Sequence, residues 1–204
     1  MTAQRTVVIL VFDDVEVLDF CGPFEVFSVT GRGRDRDPRP FRVVLAAERP
    51  GPVTARNGLS VNPHHTLADC PRPDLLLVPG GYGTRPLLHN AAVIDWVREQ
   101  AARAELVLSV CTGALVLGRA GLLDGRPATT HHGAFGELRT AAPRAEVREG
   151  VRFVDAGRVV TSAGIAAGID MALHVVGRLL GSDEARATAA YMEYPYQPQD
   201  ADSV

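Results

Sequence analysis

Unbroken apolar runs recur along the chain, separated by polar or glycine-containing stretches. TVVILVF (6–12) shows no polar alternation, so it reads as a strand buried on both faces, as in a parallel sheet. FRVVLAAE (41–48), PDLLLVPGG (73–81) and ELVLSV (105–110) repeat that pattern, the third ending in a glycine pair. Between them lie segments of helical period. In DDVEVLDFCGPFEVFSVTG, Pro23 suits a first helical position and Gly31 an end. NAAVIDWVREQAARA (90–104) spaces Val93, Trp96, Val97 and Ala101 on one face. TGALVLGRAGLL (112–123) predicts a helix whose small residues allow close packing, and HGAFGELRTAAP (132–143) predicts another.

VTARNGLSVNP (53–63) carries an Asn57-Gly58 turn between short β-like pieces and predicts a small hairpin. VRFVDAGRVVTSAG (151–164) predicts a second, turning at Asp155-Ala156-Gly157. AAGIDMALHVVGRLLG (166–181) is an apolar helix closed by Gly181, and DEARATAAYME follows as a last helix before a proline-rich tail. GRGRDRDPRP (31–40) reads as a solvated loop. Buried strands alternating with helices imply an α/β sandwich with a mostly parallel central sheet. Sites in such sheets form beyond the carboxyl ends of the strands. Asp19, the Gly80-Gly81 pair, Cys111 and His131 all fall at such ends.

That placement gives Cys111 two readings. At a strand-to-helix junction a thiol stands exposed above the sheet, as in the serine elbow, and a helix N-terminus favours thiolate. Alternatively it is a small apolar group in a core. The Thr112-Gly113 that follows favours the first. In PGGYGT, the backbone N–H groups of Gly81 and Thr112 can form an oxyanion-type hole beside Cys111, or the glycines simply make a turn. The spacing is not a dinucleotide fingerprint. Asp19 can exchange a proton with the thiol if burial raises its pKa, or it caps a turn; Glu16 and Glu25 are nearby competitors. His131 can orient or deprotonate Cys111, or be structural. Cys21 and Cys70 read as structural.

Composition narrows the partners. The chain has 204 residues and a net charge of −3, with no basic stripe interleaved with aromatics, which argues against a nucleic-acid surface. The N-terminal apolar run is too short to span a membrane and ends in Asp13 and Asp14, so a cytoplasmic protein without membrane attachment is expected. Three cysteines without paired spacing are poor grounds for a disulfide framework. No metal or cofactor is expected, because His and Cys do not fall at metal-site spacings.

Four segments carry a resemblance to a known family: DDVEVLDFCGPFEVF, LLLVPGGYGT, SVCTGALVLGRAGLLDGRPATTHH and VVTSAGIAAGIDMALHVV. Together they resemble the ThiJ/PfpI superfamily over residues 6 to about 195. The resemblance implies a flavodoxin-like, class I glutamine-amidotransferase-like three-layer fold, one domain over 1–204, a small-molecule substrate and a homodimer. Two branches are most similar: isonitrile hydratases, and the sensing domain of some AraC-type regulators. The chain given ends soon after AYMEYPYQPQ, so the hydratase branch is expected over the regulators, which carry a helix-turn-helix region after this domain. Carried over by motif, Cys111 is the nucleophile, Thr112 its neighbour and Asp19 the hydratase aspartate; many other members use a glutamate there. The amidotransferase His-x-Glu is missing, since Val175 and Val176 follow His174. The expected activity is therefore a lyase (hydro-lyase) reaction, adding water to an isonitrile to give an N-substituted formamide. A glyoxalase- or deglycase-like enzyme and a non-catalytic small-molecule or redox sensor are the alternatives.

Overall fold

The computed structural model describes residues 4–32 and 39–198. Most of the 31–40 loop and the end of the tail therefore lie outside the described residues. Seven strands form one sheet: β1 (Arg5–Leu10), β2 (Phe41–Ala47), β5 (His65–Thr66), β6 (Leu75–Val78), β7 (Leu106–Val110), β10 (Phe153–Ala156) and β11 (Val159–Ser162). Their order across the sheet is β10-β11-β7-β6-β1-β2-β5. All pairings are parallel except β10 with β11. The continuous apolar runs have the cause expected of them: Val7, Val8, Ile9 and Leu75 to Val78 are wholly buried, because helices cover both faces of the sheet.

Two short pairs stand apart: the antiparallel hairpin β3 (Val53–Thr54) with β4 (Ser60–Val61), and the parallel pair β8 (Pro127–Ala128) with β9 (Glu146–Val147). In the first, Asn57 and Gly58 both take positive φ, as the Asn-Gly signal predicts. The 153–162 hairpin pairs Ala156 with Val159, so its turn is Gly157-Arg158 and Ala156 stays in the ladder.

The helices are α1 (Val17–Val29), α2 (Thr84–Leu87), α3 (Ala91–Arg103), α4 (Gly113–Arg119), α5 (Phe135–Ala141), α6 (Ala167–Leu180) and α7 (Ser182–Tyr191). One group packs as α1 on α6 and α6 on α7, and α4 meets α2, α3 and α5. Val93, Trp96, Val97 and Ala101 of α3 are buried, and Asn90 caps it by accepting the Val93 N–H.

Pro23 does not open α1; it lies inside the helix. An interior proline forfeits a backbone hydrogen bond and costs about 3 kcal/mol in isolation. Packing offsets that cost: a Cβ on Gly168 of α6 would lie 3.5 Å from the Pro23 ring, and one on Gly22 would lie 2.9 Å from Ile169. The earlier helix start places Asp19 in the first turn of α1. α4 is also shorter than its apolar pattern, with Gly121 at φ 77 beyond its end.

Candidate active site

The strand order β11-β7-β6-β1 brings four carboxyl ends side by side. Cys111 follows β7 at φ 56, a left-handed conformation rare for a residue with a Cβ. Neighbouring strands hold it there. Its N–H reaches the carbonyls of Ser162 and Ala163, both at 3.2 Å, and Thr130 Oγ1 donates to its carbonyl at 2.8 Å. Gly113 must be glycine, because a Cβ would stand 2.0 Å from the Val78 carbonyl oxygen.

Asp19 is fully buried. Its Oδ2 accepts the Gly80 N–H at 3.0 Å and its Oδ1 the Ile165 N–H at 3.1 Å, and its carboxyl is hydrogen-bonded to the Cys111 thiol. Burial pushes the Asp19 pKa up to about 7, partly opposed by those hydrogen bonds. Burial and the Asp19 charge push the Cys111 thiol up to about 12. The expectation that the helix N-terminus favours thiolate is overturned for the resting state: α4 is short, and desolvation beside a carboxylate outweighs it. The proton therefore rests on sulfur, aimed at a carboxylate that can hold it.

Thr112 presents its N–H and hydroxyl to that sulfur. Its Oγ1 also accepts the Gly81 N–H at 3.0 Å. The Gly81 carbonyl accepts from Thr84 Oγ1 at 2.8 Å, Arg85 Nη1 at 3.1 Å and Thr112 Oγ1 at 3.1 Å, so the Thr112 hydroxyl has that carbonyl as well as the sulfur to donate to. Gly81 N–H is consequently engaged and orients Thr112; it does not stand free as an oxyanion donor. The glycine pair is demanded by closeness. A Cβ on Gly80 would lie 2.5 Å from Thr112 N and 2.8 Å from Asp19 Oδ2, and one on Gly81 2.3 Å from the Asp14 carbonyl.

A cavity of about 350 Å³ opens over Cys111, lined among others by Glu16, Tyr82, Arg85, Thr112, His131 and Ile165. The Tyr82 ring has the Arg56 guanidinium 4.2 Å from its centroid and that of Arg85 5.6 Å away. His131 reaches this cavity, but it follows β8 in the small separate sheet, not a strand of the central one. Its Nδ1 accepts the Gly133 N–H at 3.1 Å, and its ring lies 4.2 Å from that of His132. Burial and the neighbouring His132 and Arg85 hold its pKa below the usual imidazole range. The groups on the Cys111 sulfur are Asp19 and Thr112. Glu16 lines the cavity and raises the Asp19 pKa by its charge, whereas Glu25, exposed on α1, is not among the cavity residues. Cys21 and Cys70 are free thiols, each half-buried, with pKa values raised by burial. Among the described residues no group of three or more His, Cys, Asp or Glu is placed to hold a metal ion.

No sequence signal marks Ile165, a β-branched residue at φ 57 whose N–H anchors Asp19. Thr84 and Arg85 were equally silent. Only the run of glycines before them hinted at crowding.

The DJ-1/PfpI family pattern matches residues 5–178. The chain belongs to the DJ-1/PfpI family. It is 40% identical over 195 residues to an isonitrile hydratase of Pseudomonas putida, covering 95% of this chain and 81% of that protein. It is 37% identical over 139 residues to the helix-turn-helix transcriptional regulator CdhR of Pseudomonas aeruginosa, covering 68% of this chain but 40% of the regulator. Among solved structures, a ThiJ/PfpI family protein of Pseudomonas syringae superposes with a TM-score of 0.82 at 29% identity, covering 99% of this chain and 80% of that one. Drosophila melanogaster DJ-1beta shares the fold, with a TM-score of 0.81 at 20% identity over 95% of this chain and all of that one. Within this DJ-1/PfpI domain, His174 bonds Asp155 Oδ2 at 2.7 Å, and Arg178 joins the same carboxylate. That histidine is committed to an ion-pair cluster between α6 and β10. No helix of the described residues is long and apolar enough to cross a membrane.

Proposed function

We propose that this chain is an isonitrile hydratase, a hydro-lyase that converts R–N≡C and water to R–NH–CHO. The observation that carries the reading is the buried Cys111–Asp19 hydrogen bond, with Thr112 at the same sulfur. The similarity to the P. putida isonitrile hydratase supports it.

Asp19 takes the thiol proton as Cys111 sulfur bonds to the isonitrile carbon, and returns that proton to the same carbon. The product is a thioimidate, R–N=CH–S–Cys111. Thr112 holds the developing charge on sulfur with its hydroxyl and N–H. Water then adds to the carbon. Asp19 accepts one of its protons and passes it to nitrogen, giving R–NH–CH(OH)–S–Cys111. Collapse expels sulfur, the hydroxyl proton returns to the thiol, and the formamide leaves. One water is consumed and Cys111–Asp19 is restored. A carboxyl with a pKa of about 7 suits both directions of transfer. His131, whose Nδ1 is occupied, shapes the cavity in this scheme. The catalyst is one domain, a cytoplasmic homodimer that meets a small molecule and no nucleic acid or membrane.

The test is mass-spectrometric detection of formamide from cyclohexyl and methyl isonitriles with the wild-type protein and Cys111→Ala. Formamide from the wild type alone supports the reading. Turnover retained by Cys111→Ala refutes covalent catalysis. The similarity to regulators supports a second reading, a sensor domain using the same pocket without turnover. It predicts ligand protection of Cys111 with no formamide. Methylglyoxal consumption without isonitrile hydration would select the aldehyde alternative.

A further inference from the structure

The Gly81 carbonyl has more donors around it than it can serve. Thr84 Oγ1 lies 2.8 Å away, Arg85 Nη1 and Thr112 Oγ1 are each at 3.1 Å, and the Thr84 N–H is at 3.3 Å. A carbonyl oxygen offers two lone pairs, so four donors compete for them. The Thr112 hydroxyl has a single proton and a second acceptor in reach, the Cys111 sulfur. Whichever acceptor receives that proton decides whether the sulfur keeps a hydroxyl donor.

Two neighbours in α2 settle the competition. Arg85 has donors only, and Glu137 of α5 fixes its fork by accepting from Nε at 2.9 Å and from Nη2 at 2.6 Å. Nη1 is left on the other side with two protons. One reaches the Gly81 carbonyl and the other Thr84 Oγ1, at 3.3 Å. Thr84 is wholly buried, so its hydroxyl must use what the protein offers. Its oxygen accepts from Arg85, and its own proton finds the Gly81 carbonyl at 2.8 Å nearer than Thr112 Oγ1 at 3.2 Å. Thr84 and Arg85 thereby fill both lone pairs of that carbonyl. The Thr112 oxygen is occupied as an acceptor by the Gly81 N–H, and its proton turns to sulfur. The preference grows as sulfur becomes anionic, because a hydrogen bond to an anion is roughly twice as strong as one between neutral groups.

We infer that Thr84 and Arg85 are positioning residues that saturate the Gly81 carbonyl and so direct the Thr112 hydroxyl onto the Cys111 sulfur, with Glu137 holding Arg85 in register. The direction of that donor rests on the geometry; the reaction it serves rests on the hydratase reading.

The experiment uses variants that reopen the carbonyl. Thr84→Val keeps the buried volume but cannot donate, and Arg85→Met, at a half-exposed position, serves if the first variant fails to fold. Thr84→Val should lower kcat for cyclohexyl isonitrile by about tenfold with KM within about threefold, and Thr84→Ser should restore it. A turnover-free arm follows alkylation of Cys111 by iodoacetamide at pH 8, read on the Cys111 peptide by mass spectrometry. A thiolate tenfold scarcer but about threefold more nucleophilic reacts about threefold more slowly. Thr84→Val and Arg85→Met should each show that loss in the wild-type background and none in Thr112→Val, since both act through the Thr112 hydroxyl. Equal losses in the two backgrounds, or alkylation at the wild-type rate in both variants, would overturn the inference. If the wild type hydrates no isonitrile but the Thr112-dependent alkylation pattern holds, the hydratase reading fails and the positioning role stands. If isonitrile is hydrated and that pattern is missing, the positioning role alone fails.

Discussion

Asp19→Asn separates the proton held by the site from everything else that titrates. The native pKa of Asp19 is about 7 against an ordinary 3.8. Between those values the folded protein keeps a proton that the unfolded chain has released. Asp19 therefore favours folding most below pH 3.8, loses that contribution as pH rises to about 7, and adds no further slope above it. At about 1.4 kcal/mol per pH unit, the wild type should lose on the order of 4 kcal/mol across that window from this group alone. Asparagine does not titrate. Its amide nitrogen, however, must face the N–H of Gly80 or Ile165, a clash of donors costing about 1–3 kcal/mol at every pH. The curves should cross: Asp19→Asn is less stable than wild type at pH 4 and as stable or more so at pH 8. Shifts at His131 and Asp155 cancel in the difference, and Cys111 titrates far above the window. Urea titrations at both pH values, followed by the fluorescence of Trp96, the single tryptophan, measure it. A stability difference that stays constant within about 1 kcal/mol from pH 4 to 8 would refute the argument that Asp19 keeps its proton to neutrality.

Three further outcomes follow from the same geometry. If the Asp19 carboxylate must take the thiol proton, kcat/KM for isonitrile hydration rises with pH through about 7, and His131→Ala leaves that inflection in place, as a pH–rate profile will show. Thr112→Val strands the Gly81 N–H and removes a donor to sulfur; stability should fall by about 1–3 kcal/mol and kcat by about tenfold or more, by denaturation and steady-state kinetics. Gly80→Ala forces a methyl to 2.5 Å from Thr112 N and should abolish activity, whereas Gly136→Ala in α5, with nothing within 4 Å, should raise the stability by about 0.5–1 kcal/mol.

The hydrophobic pattern determined the strands and the sheet type, because a strand covered on both faces has no polar positions to alternate. β1, β6 and β7 were legible for that reason, and with them the carboxyl edge where Asp19, Gly80 and Cys111 converge. β5, two residues long, and the β8–β9 pair were not, since pairs that short leave no period to read. Pro23 shows local propensity losing to tertiary packing: α1 begins at Val17 because its contact with α6 outweighs an interior proline. At the site, sequence motifs named Cys111, Thr112 and Asp19, yet only the assembled structure decided their protonation. Burial is a property of every element packed around a group, and here it raised both the carboxyl and the thiol against the helix N-terminus. The fold alone spent the Gly81 N–H on Thr112 and the His131 Nδ1 on Gly133, because hydrogen-bond partners distant in sequence compete for the same donors and acceptors. It alone also set Ile165 at a positive φ that no local preference would choose, where its N–H reaches a carboxylate 146 positions away.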